Sequence, residues 1–277
     1  GMSHIDTWDP KPDALADHAS PYRPIKTKVP GIQFTELLQK TAGVADKLTI
    51  IRSMHHTTGV ANGHPKGTQY ALSGHVPGGV LEMPDIGSAV AHRIGSECNY
   101  LAPYILAPGN SEQAKESRVG FLPAECKAFK TGGKDLSQPG WTVPGLGLNK
   151  AIGKERFERR LSLLSGLDVG LPNRSSGEAE GWETAIDQAH ESLLHPGTKT
   201  AFDLELESDK LRDAYGCGHR GQCYLLGRRL IEQGVRFVTI DVREPLTDKT
   251  PGGTNLNWDH HDFIYAPGTC NLPGAGG

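Results

Sequence analysis

The sequence predicts an α/β chain, and three observations carry that prediction. Helical and strand-like apolar patterns alternate along the chain, as they do where helices pack on a mostly parallel sheet. The run Val235 to Val242 (VRFVTIDV) has the strongest strand character in the sequence, and it follows a helical stretch closed by Gly234. The 35 glycines and 19 prolines call for many loops and argue against a helical bundle.

The elements follow in order. Residues 1–33 are proline-rich and polar and read as an irregular lead-in. Thr35 to Asp46 carries Leu37, Leu38, Thr41, Val44 and Ala45 near helical spacing, with Thr35 as the cap. Leu48 to Ile51 is a short apolar run suited to a buried parallel strand, and it ends at Arg52. A helix is predicted over Lys66 to Ser73, started by Pro65 and capped by Gly74. Another covers Pro84 to Ile94 with Ile86, Val90 and Ile94 on one face. Tyr104 to Ala107 is a strand stopped by Pro108-Gly109-Asn110, and residues 108–150 form a long glycine-rich excursion with short strands. Glu155 to Leu164 is an amphipathic helix with Phe157, Leu161 and Leu164 inward and a Glu155–Arg159 pair outside. Helices are also predicted over Glu178 to Leu194, Asp209 to Tyr215 and Arg220 to Gln233.

Composition bounds the function. A chain of 277 residues, 36% hydrophobic and 22% charged, can bury a core and is not disordered. No apolar run reaches the roughly 18 residues that a membrane-spanning helix needs. With 29 basic and 32 acidic residues the net charge is −3, and no long basic block is present. Nucleic acid is therefore not an expected partner. The five cysteines are irregularly spaced and form no CxxC pair, so neither a zinc ribbon nor a disulfide framework is indicated. Cys217 and Cys223 read as core packing. Gly1 before Met2 reads as a scar of tag removal, with no signal peptide after it, and residues 267–277 as an irregular tail.

Four segments concentrate side chains able to bind metal or move protons. The first, Ser3-His4-Ile5-Asp6-Thr7-Trp8-Asp9, holds two carboxylates beside a histidine, a set able to bind a cation. On the residues alone, a turn before Pro10 explains it better. The second, Arg52-Ser53-Met54-His55-His56, follows the expected strand 48–51, and adjacent histidines on a strand direction point apart, so one at most serves a site. The third runs from Asn62 through His64 and Lys66 to His75, where a loop enters a helix whose first N–H groups suit an anion. An ordinary loop–helix junction has the same composition. The fourth, Trp258-Asp259-His260-His261-Asp262, places two histidines between carboxylates and reads as a first shell for zinc or manganese in preference to a solvated tail.

Taken in order, SHIDTWDPKPDA, LTIIRSMHH, GHPKGTQYALSGH, MPDIGSAV, GCGHRGQCYLLGRRLIEQGVRFVTI and WDHH resemble a bacterial family, domain of unknown function 1501, grouped with the alkaline phosphatase/sulfatase superfamily. The resemblance spans residues 3–262. It implies a three-layer α/β/α sandwich with a mostly parallel sheet and a divalent-metal site (zinc, manganese or calcium) at the sheet's C-terminal edge. The implied activity is hydrolysis of small anionic phosphate or sulfate esters. Under the resemblance Asp6 is the first metal ligand, with Asp9 the second choice, and Asp259 and His261 are a later ligand pair. Counting back from Gly74 places His64 where sulfatases carry Cys or Ser and phosphatases Ser or Thr, so His64 is either a ligand or a nucleophile. Arg52, Lys66 and the helix start would hold the oxyanion.

Relative to the resembled family the chain reads as one domain, 1–277, shortened at both ends: an opening strand would precede Ser3, and further ligands would follow Asp262. An exposed sheet edge would then favour a homo-oligomer. The family resemblance implies export to the periplasm. The competing expectation is a non-catalytic member of the same fold that binds an anion or a partner, and an unrelated zinc protein using His55 to His75 ranks last.

Overall fold

A computed structural model describes residues 3–16, 18–55, 59, 62–109, 113–132, 135–146, 153–168 and 186–241. They fall into two compact units, one ending at His55 and the other lying between His56 and Pro245.

The first unit is built on an antiparallel hairpin of β1 (Pro24–Lys26) and β2 (Gln33–Thr35), with Ile25 opposite Phe34. Thr27 holds the turn by donating its hydroxyl to the carbonyls of Val29 and Ile32, and Gly31 supplies the φ of 79° that the turn requires. Phe34 is fully buried with Ala42 and Ala45, and Trp8 packs edge-on against it at 5.2 Å between ring centroids. The lead-in is thus not wholly irregular, because it contains β1. The helix expected over 35–46 is broken into a 3-10 turn (Glu36–Leu38), α1 (Gln39–Ala42) and a second 3-10 turn (Ala45–Lys47). Thr35 does not cap it. Thr35 closes β2, and its hydroxyl is spent on the carbonyl of Asp6 at 2.6 Å while its amide bonds Thr7. The strand expected over 48–51 is also absent. Leu48 and Ile51 are 41% and 62% exposed, and only Ile50 reaches the small core. A short apolar run becomes a strand only when a ladder partner covers its backbone, and none is paired with it among the described residues.

The second unit holds a parallel three-stranded sheet in the order β4-β3-β5, from β3 (Tyr104–Ala107), β4 (Phe129–Lys130) and β5 (Phe237–Ile240). The registers put Ile105 beside Phe129 and Val238. Every residue of the central strand is buried, and its pleat sorts them. Tyr104 and Leu106 join Ala91 of helix α3 (Ile86–Ile94) in one cluster. Ile105 and Ala107 join Leu225, Leu226 and Leu230 of helix α8 (His219–Glu232) in another. The chain is therefore mixed α/β with a parallel sheet, as expected.

Helix α2 covers His64–Ser73 and ends on Gly74 at φ 72°, the left-handed cap predicted for it. Helix α3 departs from its predicted face: Ile86 and Ile94 are 58% and 57% exposed, while Gly87, Ser88 and Ala91 are buried. The cause is close approach. A Cβ on Gly87 would lie 2.4 Å from the Tyr104 ring, so small residues must face the sheet. Gly227 does the same for α8, where a Cβ would lie 2.6 Å from the Ile240 side chain.

Helix α4 (Lys154–Asp168) keeps Phe157 half-buried, stacked on His190 of α5 (residues 186–194). The rest of the predicted 178–194 helix lies outside the described residues, as does the tail 267–277. Helix α6 (Pro196–Phe202) is tied to α8 by Arg229, which donates to the carbonyls of Thr200 and Ala201 and pairs with Glu207. Helix α7 (Asp209–Tyr215) is capped by the Ser208 hydroxyl and runs over the residues predicted for it. The described cysteines are free thiols, Cys223 buried in the core and Cys217 exposed. Among the described residues no helix is long and apolar enough to cross a membrane.

One buried carboxylate joins these parts. Asp85, 1% exposed, caps α3 by accepting from the Ser88 amide at 2.8 Å, and it also accepts from the hydroxyls of Ser117 at 2.6 Å and Tyr104 at 3.2 Å. Tyr104 sits within 3.1 Å of the Thr239 hydroxyl on β5. Since Tyr104 donates to Asp85, Thr239 is the donor in that contact. Burial, opposed by the Thr239 bond and aided by the Asp85 charge, pushes the Tyr104 hydroxyl up to about 12.

Two outcomes are expected. Asp85→Ala removes a helix cap and strands two buried hydroxyls, so urea unfolding should show a loss of about 2–4 kcal/mol. Tyr104 has a folded pKa above the ordinary value of about 10, so its contribution is complete below that pH and is lost as pH rises toward 12. Wild type should lose more stability than Tyr104→Phe between pH 9 and 12 in parallel denaturation curves.

Candidate functional site

In the first unit the segment 3–9 winds into a turn, with the amides of Thr7 and Asp9 bonded to the His4 carbonyl and the Thr7 hydroxyl on the Ser3 carbonyl at 2.6 Å. That turn presents two carboxylates. Asp6 is half-buried, and its Oδ1 accepts from the Ser20 hydroxyl at 3.3 Å, which orients the group. Asp9 is buried and lies between two cations: Lys11 Nζ at 3.1 Å from Oδ2 and Arg52 Nη1 at 3.7 Å from Oδ1. Around this trio lies a cleft of 420 Å³, lined also by Pro10, Pro12, Asp13 and Gln33. Lys11 holds φ 46°, a left-handed conformation unusual for a residue that precedes a proline.

Arg52, expected to hold an oxyanion, is thus on the wall of a real cleft, with its guanidinium already facing Asp9. Lys11 was not singled out in the sequence, and its spacing from Asp9 is the signal that would have found it. His55 is exposed and donates Nδ1–H to the Ser53 carbonyl at 2.9 Å, which leaves Nε2 outward as the basic nitrogen. His56 lies outside the described residues.

In the second unit His64 and Lys66 occupy the first turn of α2, both exposed. The residue before the helix is Gly63, which has no side chain to cap the first amides, and Pro65 has no amide at all. The Gly67 amide bonds the Gly63 carbonyl at 2.7 Å and sets the helix going. A positive helix end with an imidazole and an ammonium beside it is a local environment suited to an anion. His75, beyond the helix, is bonded by its Nδ1 to the Ser73 carbonyl at 3.1 Å.

Of the four expected metal ligands, Asp6 belongs to the first unit and His64 to the second, while Asp259 and His261 lie outside the described residues. Among the described residues no group of three His, Cys, Asp or Glu side chains is placed to hold a metal.

A further pair escaped the sequence reading. His219 and Cys223 are one turn apart on α8, buried, with Nε2 and Sγ 3.5 Å apart. The Leu136 amide donates to His219 Nδ1 at 3.0 Å, so the ring proton of the neutral form is on Nε2, toward the sulfur. Asp135 is pushed up by burial, but bonds from the Ser137 hydroxyl and amide and from Gln138 outweigh that and hold its carboxyl below the usual range. The cluster pins the 135–137 turn to α8. Its signal was present in the sequence as His and Cys at i and i+4.

Comparison with known proteins gives one positive finding. A family described as "Protein of unknown function (DUF1501)" matches residues 1–272. No match was found among curated proteins. None was found among solved structures. The family match runs over nearly the whole chain, through the Asp6 turn, the cleft residues and the start of α2, and the protein therefore belongs to the DUF1501 family.

Proposed function

We propose that the protein is a metal-dependent hydrolase of phosphate or sulfate esters built on a three-layer α/β/α sandwich. The observation that carries the reading is the first turn of α2, where a glycine-started helix presents His64 and Lys66 at an uncapped positive end. The alternate residues of β3, clustered with α3 and with α8, support the layering.

The ligands in this reading are Asp6, Asp259 and His261, with His64 a further ligand or the attacking group. Carboxylate oxygen with imidazole nitrogen suits zinc or manganese better than calcium, which prefers oxygen alone. The Ser20 bond to Asp6 is the kind of outer contact that fixes a ligating carboxylate. A bound divalent ion would draw charge from the ester's non-bridging oxygens. Lys66 and the α2 amides offset the remaining negative charge as the ester bond breaks. If His64 attacks, its ring nitrogen bonds phosphorus while the ester oxygen leaves with the electron pair, and water then cleaves the P–N bond.

A second reading, a member of the same fold that turns nothing over and holds an anion weakly at most, is favoured by one specific contact. Asp9 already faces Arg52 at 3.7 Å and Lys11 at 3.1 Å, so a carboxylate of the protein occupies cations that a substrate would otherwise use.

Metal content measured by plasma mass spectrometry, after purification without nickel resin and equilibration with zinc or manganese, separates the two. The hydrolase reading expects about one bound equivalent, lost in Asp259→Ala, together with turnover of aryl phosphate or aryl sulfate that drops about 10³-fold or more in His64→Ala. Retained metal without turnover of either ester would falsify it in favour of binding alone. Under the binding reading, Asp9→Asn releases Arg52 and Lys11 and should tighten sulfate or phosphate binding about threefold or more by titration calorimetry.

A further inference from the structure

The parallel sheet of the second unit ends in two strands, and the two edges differ. β4 has two residues and ends on Lys130, a charge of the kind that keeps an edge from pairing. β5 has four, and Phe237-Val238-Thr239-Ile240 includes no charged residue and no proline. All four are half-buried, whereas all four residues of the central strand β3 are buried, so the outer side of β5 is open on both faces. The amides of Phe237 and Asp241 donate to the carbonyls of Pro103 and Ala107 at 3.1 and 2.8 Å. Backbone direction alternates along a strand, so Val238 and Ile240 turn their amides and carbonyls outward, where no strand pairs with them among the described residues.

Both helix layers frame this edge with apolar side chains. On one face Ser88 of α3 donates its hydroxyl to the Arg118 carbonyl at 3.4 Å, in the segment that leads to β4. At about 100° per residue, Ile86 and Ile94 lie on the opposite flank of α3, toward β5, and both are exposed. On the other face Gly227 of α8 sits against Val238 and Ile240. Tyr224 and Ile231, three residues before it and four after, continue that side of the helix outward and are exposed as well.

We propose that β5 pairs with β5 of a second copy of this chain, antiparallel about a two-fold axis at Thr239. Val238 then exchanges two hydrogen bonds with Ile240 of the partner subunit, and Ile240 exchanges two with the partner's Val238, so each outward group finds its complement in the same edge. α3 and α8 close over the seam from the two faces and take Ile86, Ile94, Tyr224 and Ile231 out of water. Covering these four side chains, each about half exposed, together with the outer side of β5 removes on the order of 500 Å² per copy, about 1,000 Å² in the pair, which reaches what a specific interface needs. The surface is separate from the residues of the hydrolase reading and stands whether or not that reading does.

Sedimentation velocity of the full chain tests it. Wild type should sediment at twice the chain mass at micromolar concentration. Ile86→Glu and Ile231→Lys place a charge in the seam and should each raise the dimer dissociation constant about tenfold or more, while melting curves show that the fold is kept. Thr239 meets itself across the axis in a non-hydrogen-bonded pair, about 4.5 Å between Cα atoms, a separation that a disulfide spans. Thr239→Cys, with Cys217→Ser removing the exposed thiol, should therefore give a disulfide-linked dimer under mild oxidation. Leu206→Cys, exposed on the 3-10 turn Leu204–Leu206, should give none in the same background. A monomer at micromolar concentration overturns the proposal and leaves the edge to a strand of a different chain. A dimer unmoved by both charge variants, or a Thr239→Cys chain that links no more than Leu206→Cys, overturns it as well, because the copies then meet elsewhere.

Discussion

One carboxylate closed to solvent sets how the sheet, α3 and the Ser117 segment of the larger unit meet. Asp85 accepts three hydrogen bonds, from the first turn of α3, from Ser117 and from Tyr104, and Tyr104 passes the chain on to Thr239. Two strands, one helix and one connecting segment thus share a single polar network in the core. Such a network in a low-dielectric interior is stable only when complete, so it fixes one relative position for all four parts. The steric demands are of the same kind. Tyr104 can lie flat over α3 only because residue 87 is glycine, and the segment before Asp85 can pass residue 120 only because that residue is glycine too, where a Cβ would lie 2.5 Å from the Pro84 nitrogen.

That dependence explains which parts of the fold were legible in the sequence. Local signals worked where the controlling interaction was local. Gly74 ended α2, Gly234 ended the stretch after α8, and Pro108-Gly109 stopped β3. They failed where a distant partner decided. Thr35 looks like a helix cap from its neighbours, but its hydroxyl serves Asp6, 29 residues away. Ile86 and Ile94 look like an inward stripe until Tyr104 claims the other face of α3. The run Leu48 to Ile51 has strand composition without a strand to pair with it among the described residues.

The candidate site divides along the same line. Asp6, Arg52, His64 and Lys66 received their roles through the family resemblance, and the structure shows Asp6 partly accessible and the other three exposed. Their engagement was not legible. Nothing in spacing shows that Arg52 meets Asp9 across 43 positions, because that contact depends on how the 3–9 turn lies against the hairpin unit. The His219–Cys223 pair was missed for a different reason: a histidine four residues before a cysteine is visible in the sequence, but its burial and the Leu136 bond exist only after folding.

Two carboxylates then give the most direct guide from structure to role. Asp85 accepts three donors fixed in the core and is closed to solvent, so its work is architectural. Asp9 is met by two cations at the wall of an open cleft, and such a pair exchanges partners readily, because water and incoming ions compete for every contact. The same functional group is structural or switchable according to how its lone pairs are met. Burial alone does not separate these cases, since Asp85 and Asp9 are both buried. The distinction lies in the donors: an amide and two hydroxyls fixed in the core hold Asp85, and two cations at a cleft hold Asp9.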